Sequence, residues 1–238
     1  MKTSELLGVR QKIINFLMEH QNDYTQEEKD FIIKNYSWGF TSFLVPDILR
    51  QIYDELNILP TDKNIYMTFL KLLKEKFDIN RDIVELGGGK IPCLGKKIAL
   101  AQKKGTITVY DDKLISLTSP YPNLTLKKEI LKENTNLKQD MLVAFMPCEG
   151  TETAIHLAGK NNLDFMIALC EGPCHTELEW EYIFDNWEQN ILYEAKKTTS
   201  ENKLGHLEMI YMKENPYPII YNNCLLYTSD AADDRISV

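Results

Sequence analysis

Ile83-Val84-Glu85-Leu86-Gly87-Gly88-Gly89 reads as an apolar strand that ends in a carboxylate and runs into three consecutive glycines. Pro92 then opens a stretch in which Leu94, Ile98 and Ala101 fall at helical spacing, and Gly105 suits its end. A second strand, Thr106-Ile107-Thr108-Val109-Tyr110, leads to Asp111, 22 residues beyond Gly89. Glycines allow close approach of the backbone to a ligand and turn conformations closed to other residues. The start of the following helix adds N–H donors with no intrahelical partner. An acid at the end of the next strand is placed to accept hydrogen bonds from ribose hydroxyls. In that order these features predict a nucleotide-type cofactor site at the first crossover of a parallel sheet.

Outward from this stretch the chain divides by pattern. From Asp82 onward, strands alternate with helices: strands are expected at Ile83–Leu86, Thr106–Tyr110, Leu124–Lys128, Met141–Met146 and Phe165–Leu169, with later helices at Thr151–Lys160 and Glu177–Lys197. Leu207–Met212 and Pro218–Tyr221 read as two closing strands around a turn at Lys213–Tyr217. Residues 1–80 read as helical. An apolar face runs from Ser4 to His20, Thr25-Gln26-Glu27-Glu28 has capping-box spacing, Val45-Pro46-Asp47 leads into a third helix, and a fourth follows Pro60 and ends near Phe77. The expected organisation is an N-terminal helical region (1–80), a cofactor-binding α/β domain (81–223) and a tail (224–238). The tail, beginning Cys224-Leu225-Leu226-Tyr227-Thr228-Ser229-Asp230, resembles the translated read-through of a sequencing adapter and is set aside as non-native.

Two cofactor classes use a glycine turn of this kind. A dinucleotide site calls for glycine three residues after Gly89, where this chain has Pro92, and a carboxylate at Glu85 would repel a pyrophosphate. The same carboxylate suits a ligand that carries an ammonium and a sulfonium. Glu85-Leu86-Gly87-Gly88-Gly89 resembles the first motif of class I S-adenosylmethionine-dependent methyltransferases, and the likeness extends in order over residues 82–221. It implies a Rossmann-like methyltransferase sheet, mostly parallel with an antiparallel closing strand, and S-adenosylmethionine as cofactor. It further implies that Glu85, Gly87, Gly88 and Gly89 line the methionine end, that Asp111 holds the ribose and that Glu129 lies near the adenine. Ile91 departs from it, standing where many members have a third glycine.

Chemistry is expected at the carboxyl ends of the fourth and fifth strands, in Pro147-Cys148-Glu149-Gly150 and Cys170-Glu171-Gly172-Pro173-Cys174-His175. Cys148 and Cys174 each follow a proline, as does the nucleophile of C5-cytosine methyltransferases, although the fuller motifs of that family are missing. His175 is the candidate general base, because imidazole titrates nearest neutrality. Cys-x3-Cys-His is a poor zinc pattern and no metal is assigned. Asn215-Pro216-Tyr217-Pro218 resembles the Asn-Pro-Pro-Tyr motif of amino-methylating enzymes but falls in the closing turn, far from the fourth strand. Tyr36, Trp38 and Phe40 suit core packing better than substrate stacking. His156 reads as structural.

The net charge is −8, or −6 without the three acids and one arginine of the tail, which argues against an overall basic footprint for nucleic acid. Lys127, Lys128, Lys132 and Lys138 form one local basic stretch. The start of the chain has no signal-peptide core and no stretch approaches membrane-spanning length, the pattern expected of a cytoplasmic protein with reduced cysteines. The expected function is methyl transfer to a small-molecule or protein acceptor. RNA methylation, with or without a cysteine nucleophile, and a non-catalytic cofactor-binding role are the rivals. The acceptor and the oligomeric state stay open.

Overall fold

A strand buried on both faces needs an uninterrupted apolar run, and β1 (Ile83–Leu86) and β4 (Met141–Phe145) have one apart from Glu85; every residue of both is buried. The computed structural model of the protein describes residues 3–40, 45–59, 64–169, 180–211 and 218–223. In it these two strands form the centre of a seven-stranded sheet, with β2 (Ile107–Tyr110), β3 (Leu124–Lys127), β5 (Asp164–Ala168), β6 (His206–Tyr211) and β7 (Pro218–Asn223). The order is β3-β2-β1-β4-β5-β7-β6. Strands β1 to β5 pair in parallel, whereas β7 runs antiparallel to both β5 and β6. This is the Rossmann-like methyltransferase sheet, with its single reversed strand inserted next to the edge. β3, at the other edge, alternates buried and exposed residues, as a strand covered on one face should.

The two-residue period assigns every strand residue to a layer. Ile83, Ile107, Val109, Met141, Val143, Phe145, Met166 and Tyr221 belong to one buried cluster, and Val84, Leu86, Leu142, Ala144, Phe165, Ile167 and Ile220 to the other. The first layer is covered by α1 (Thr3–Glu19), α2 (Gln26–Asn35), α3 (Asp47–Glu55), α4 (Ile65–Lys76) and α5 (Cys93–Ala101), through residues such as Ile13, Ile32, Ile52, Phe69 and Ile98. The second is covered by α6 (Thr151–Asn161) and α7 (Trp180–Glu201), through Ile155, Ala158, Ile191 and Ala195. The N-terminal helices therefore share one core with the front of the sheet. Among the described residues no helix is long and apolar enough to cross a membrane.

Expected and observed elements agree in kind, with shifted ends. Pro92 is the N-cap of α5 and not its first helical residue, and the capping box at Thr25 and Glu28 forms with both of its bonds. β7 extends two residues beyond Tyr221 because Asn222, fully buried, ties it to its neighbours. Asn222 Oδ1 accepts the Phe165 N–H at 2.6 Å, while Nδ2 donates to Asp164 Oδ1 at 2.9 Å and to the Leu204 carbonyl at 3.0 Å. The closing turn around Asn215-Pro216-Tyr217 and the tail from Cys224 lie outside the described residues.

Asn222→Ala would strand the Phe165 N–H in the interior. An orphaned buried group costs about 1–3 kcal/mol, so chemical denaturation should register a loss of about that size.

Candidate functional site

The turn from β1 into α5 exists because two of its glycines adopt backbone angles closed to other residues: Gly87 has φ +80° and Gly89 φ +70°. Its amides are met from three directions. Gly87 N–H donates to the Tyr110 carbonyl at 3.0 Å, Gly89 N–H to Asp111 Oδ2 at 2.8 Å, and Ile91 N–H to Gln51 Oε1, on α3, at 3.1 Å. Asp111 Oδ1 accepts the Lys113 N–H at 2.7 Å. Each oxygen keeps a further lone pair for a ligand.

Glu85 shares the face of the sheet that carries α5. It is 1 % exposed, lies at the first turn of that helix, and its Oε2 has no hydrogen-bond partner among the described residues. Burial, with the Asp111 charge adding to it, pushes its carboxyl up from an ordinary 4.5 to about 8, against the opposing pull of the Gly95 amide. The start of α5 is thus occupied by the protein's own carboxyl group. In a dinucleotide site a ligand phosphate takes that position and the turn amides point at it. Here three of those amides are spent inside the protein, which speaks against a pyrophosphate more strongly than the sign of the Glu85 charge does.

A crevice of two lobes opens beside the turn. One, of about 250 Å³, is lined by Glu85, Gly87, Gly88, Gly89 and Asp111, by Asp47, Gln51 and Tyr66 from the N-terminal helices, and by Phe145, Met146 and Cys148. The other, of about 510 Å³, runs past Asp111 and Asp112 to Glu129, Ile130 and Leu131, with the start of α6 opposite. Gly87, Asp111, Lys113, Pro147 and Cys148 border both. All six residues expected to bind cofactor therefore line one continuous crevice: five in the first lobe and Glu129, half exposed, in the second.

The wall after β4 is strained. Met146 and Cys148 both take positive φ, +53° and +49°, on either side of Pro147, and such conformations concentrate at functional sites. Cys148 stands exposed there, its Sγ 3.5 Å from the Met146 carbonyl. Cys170, Cys174 and His175 lie outside the described residues. His156 is not among the lining residues; it bridges Glu194 (3.8 Å) and Glu133 (3.1 Å), the latter on the wall of the second lobe. Tyr36, Trp38 and Phe40 do not line it: Phe40 packs on Tyr53, Trp38 on Phe31, and the Tyr36 carbonyl accepts from the Tyr53 hydroxyl. The aromatic wall is made by Tyr66 and Phe145 instead, with ring centroids 4.9 Å apart.

The cover is latched to the glycine turn. Lys90 Nζ donates to the Asp23 carbonyl at 2.7 Å and to Glu28 Oε2 at 2.9 Å, and lies 4.6 Å from the Tyr24 ring centroid. Burial would raise the Glu28 carboxyl, but Lys90 and the Thr25 amide hold it below its ordinary value. Gln51, Asp47, Tyr66, Phe145 and Lys90 are the wall residues that sequence reasoning did not identify. A helix pattern says that a face is buried but not what it faces, so only Lys90, adjacent to the glycines, carried a local signal.

No family model and no curated protein matches the chain. Solved structures do resemble it. The magnesium protoporphyrin IX methyltransferase of Synechocystis PCC 6803, with bound SAH, aligns at 10 % identity over 82 % of this chain and 97 % of its own, with a TM-score of 0.44. Human N-acetylserotonin methyltransferase in complex with SAM aligns at 12 % identity over 93 % of this chain and 68 % of its own, also at 0.44. At such scores the likeness carries no weight for activity, and the functional reading rests on the crevice.

The raised Glu85 carboxyl has a measurable consequence. Unfolding releases its proton at any pH between 4.5 and 8, so its contribution to stability is fully present below 4.5 and is lost as pH rises toward 8. The slope is at most about 1.4 kcal/mol per pH unit. Denaturant titrations from pH 5 to 8 should show this decline in the ligand-free protein, and Glu85→Gln should flatten it.

Proposed function

We propose that this protein is an S-adenosylmethionine-dependent methyltransferase. The observation that carries the reading is Glu85: an almost fully buried carboxyl, its Oε2 turned in at Gly95 without a hydrogen-bond partner among the described residues, on the wall of a crevice beside a glycine turn three of whose amides are already used. Such a group favours a cationic ligand over a phosphate, for which three of the turn amides are no longer free. The methionine end of the cofactor would lie in the first lobe, against Glu85 and Gly87 to Gly89. The ribose would lie at Asp111, and the adenine in the second lobe near Glu129, Ile130 and Leu131. When bound, S-adenosylmethionine supplies a methyl group on a sulfonium, open to in-line attack by a nucleophile.

The residues of this chain would then align and desolvate the acceptor. Tyr66 and Phe145 give the first lobe an aromatic wall, and Asp47, paired with Arg50, sets a polar edge beside it. Tyr66 is buried, which holds its hydroxyl well above the ordinary range and keeps it a neutral donor. Cys148 borders both lobes, which supports it as a lining residue next to the transferred group; His175 and Cys174 remain candidates for proton transfer and nucleophilic roles. An acceptor that is a small molecule or a protein side chain fits better than RNA. Four carboxyl groups, Glu28, Asp47, Glu85 and Asp111, line the first lobe, and Lys127 is engaged with the Tyr110 hydroxyl at 2.9 Å and Glu129 at 3.9 Å.

Calorimetric titration tests the cofactor assignment: S-adenosylmethionine should bind saturably and NADH should not, and the reverse result would overturn it. Asp111→Ala should weaken S-adenosylmethionine about tenfold to hundredfold, as expected for loss of hydrogen bonds to a charged acceptor. A cation beside Glu85 favours its ionised form, so binding should expel its proton. The binding enthalpy at pH 7 should therefore vary with the ionisation enthalpy of the buffer by close to one proton per site, and the dependence should fade above pH 8.

A further inference from the structure

Gln51 is 8 % exposed, on a helix where Leu49, Ile52 and Tyr53 are fully buried. A buried carboxamide must satisfy both of its ends, and each end is distinguishable by what it faces. Ile91 N–H is a donor, so the Gln51 atom 3.1 Å from it is the oxygen, and the orientation of the amide follows. Nε2 is then turned onto the glycine run. It lies 1.9 Å from the point that a Cβ on Gly89 would occupy, so the close approach needs glycine there. The side chain lines the first lobe, and Nε2 makes no hydrogen bond to any described residue. Neither is it among the buried polar atoms sealed from solvent, as Glu85 Oε2 is. Two N–H bonds therefore stand at the crevice wall, held in place by the bond that the other end of the amide makes to the turn.

Several other donors nearby are engaged, and the Tyr66 hydroxyl is a second donor on the wall of the lobe. The Gly87, Gly89 and Ile91 amides are bonded within the protein. Lys90 is spent on Glu28 and Asp23, and Arg50 is turned to Asp47. Lys113, on the far side of Asp111, is the remaining cation of the first lobe. A buried acid and an oriented donor that line one lobe together with Gly87, Gly88 and Gly89 match a ligand group that carries both charges. We propose that Gln51 is a ligand-binding residue, whose Nε2 donates to the carboxylate of an α-amino-acid group while the ammonium of that group is held at Glu85. This rests on the S-adenosylmethionine reading and assigns to the N-terminal helices part of the recognition of that cofactor.

The probe is S-adenosylmethionine against its decarboxylated form, which keeps the ammonium and sulfonium and lacks only the carboxylate. Binding to the full chain is measured by calorimetry. The unmodified protein should prefer S-adenosylmethionine about tenfold to hundredfold, the range for one charge-assisted hydrogen bond. Gln51→Leu should abolish the preference by weakening S-adenosylmethionine alone. Removing the amide also strands the Ile91 N–H, so a second variant guards against a folding defect. Gln51→Glu keeps an oxygen for Ile91 and replaces the donor with an anionic oxygen. It should weaken S-adenosylmethionine at least tenfold and bind the decarboxylated form as tightly as the unmodified protein or more so. Equal affinity of the unmodified protein for the two ligands, or an equal loss for both in Gln51→Glu, would overturn the assignment of Gln51 while leaving the cofactor reading intact. Binding of neither ligand by the unmodified protein would overturn both.

Discussion

The turn between β1 and α5 is partly buried backbone, and N–H groups shielded from water must find partners. This constraint organises the rest of the molecule. A turn with three glycines brings almost no side-chain polarity of its own, so its amides are satisfied from outside: by the Tyr110 carbonyl of β2, by Asp111 just after it, and by Gln51 from a helix some 40 positions earlier in the chain. The first two partners follow from the parallel pairing of β1 with β2. The third requires α3 to dock on the front of the sheet, beside α5. The N-terminal helices are thereby committed to the crevice by hydrogen bonding as well as by apolar packing.

How much of this was legible in the sequence depends on the range of the signal. The glycine run, its acid and Asp111 are local features, and their arrangement follows from the strand–turn–helix–strand order alone. The opposed pairing of β6 and β7 was also legible from the short turn between them, whereas the antiparallel closing of the sheet was implied by the family resemblance. What the sequence does not display is polarity that is buried and satisfied at a distance. Asn222 looks like the residue after a strand, yet it continues the strand by bonding to Phe165, Asp164 and Leu204. Gln51 looks like an ordinary polar residue in an amphipathic helix, and its burial is a property of the docked helix. Tyr66 and Phe145 failed to stand out for the converse reason. As apolar residues on buried faces they are indistinguishable from core until the crevice is seen beside them.

Glu85 shows how burial can turn one residue from an ambiguous signal into a discriminating one. As a free carboxylate it argues against a phosphate ligand by charge, but a carboxyl pushed up to about 8 is largely neutral at pH 7, and a neutral acid could donate to a phosphate. The charge argument alone therefore weakens once burial is known. Position replaces it. The group fills the start of α5, where an anion would otherwise sit, and leaves one oxygen without a partner in a place that water does not reach. A cation beside the part of this carboxyl that lines the lobe would favour the ionised form, and the attraction is strongest where water is excluded. A proton that the free protein holds at this carboxyl would then be displaced by a cationic ligand. The desolvation of Glu85, unfavourable to its ionised form near neutral pH, would become a preference for the charge type of the ligand.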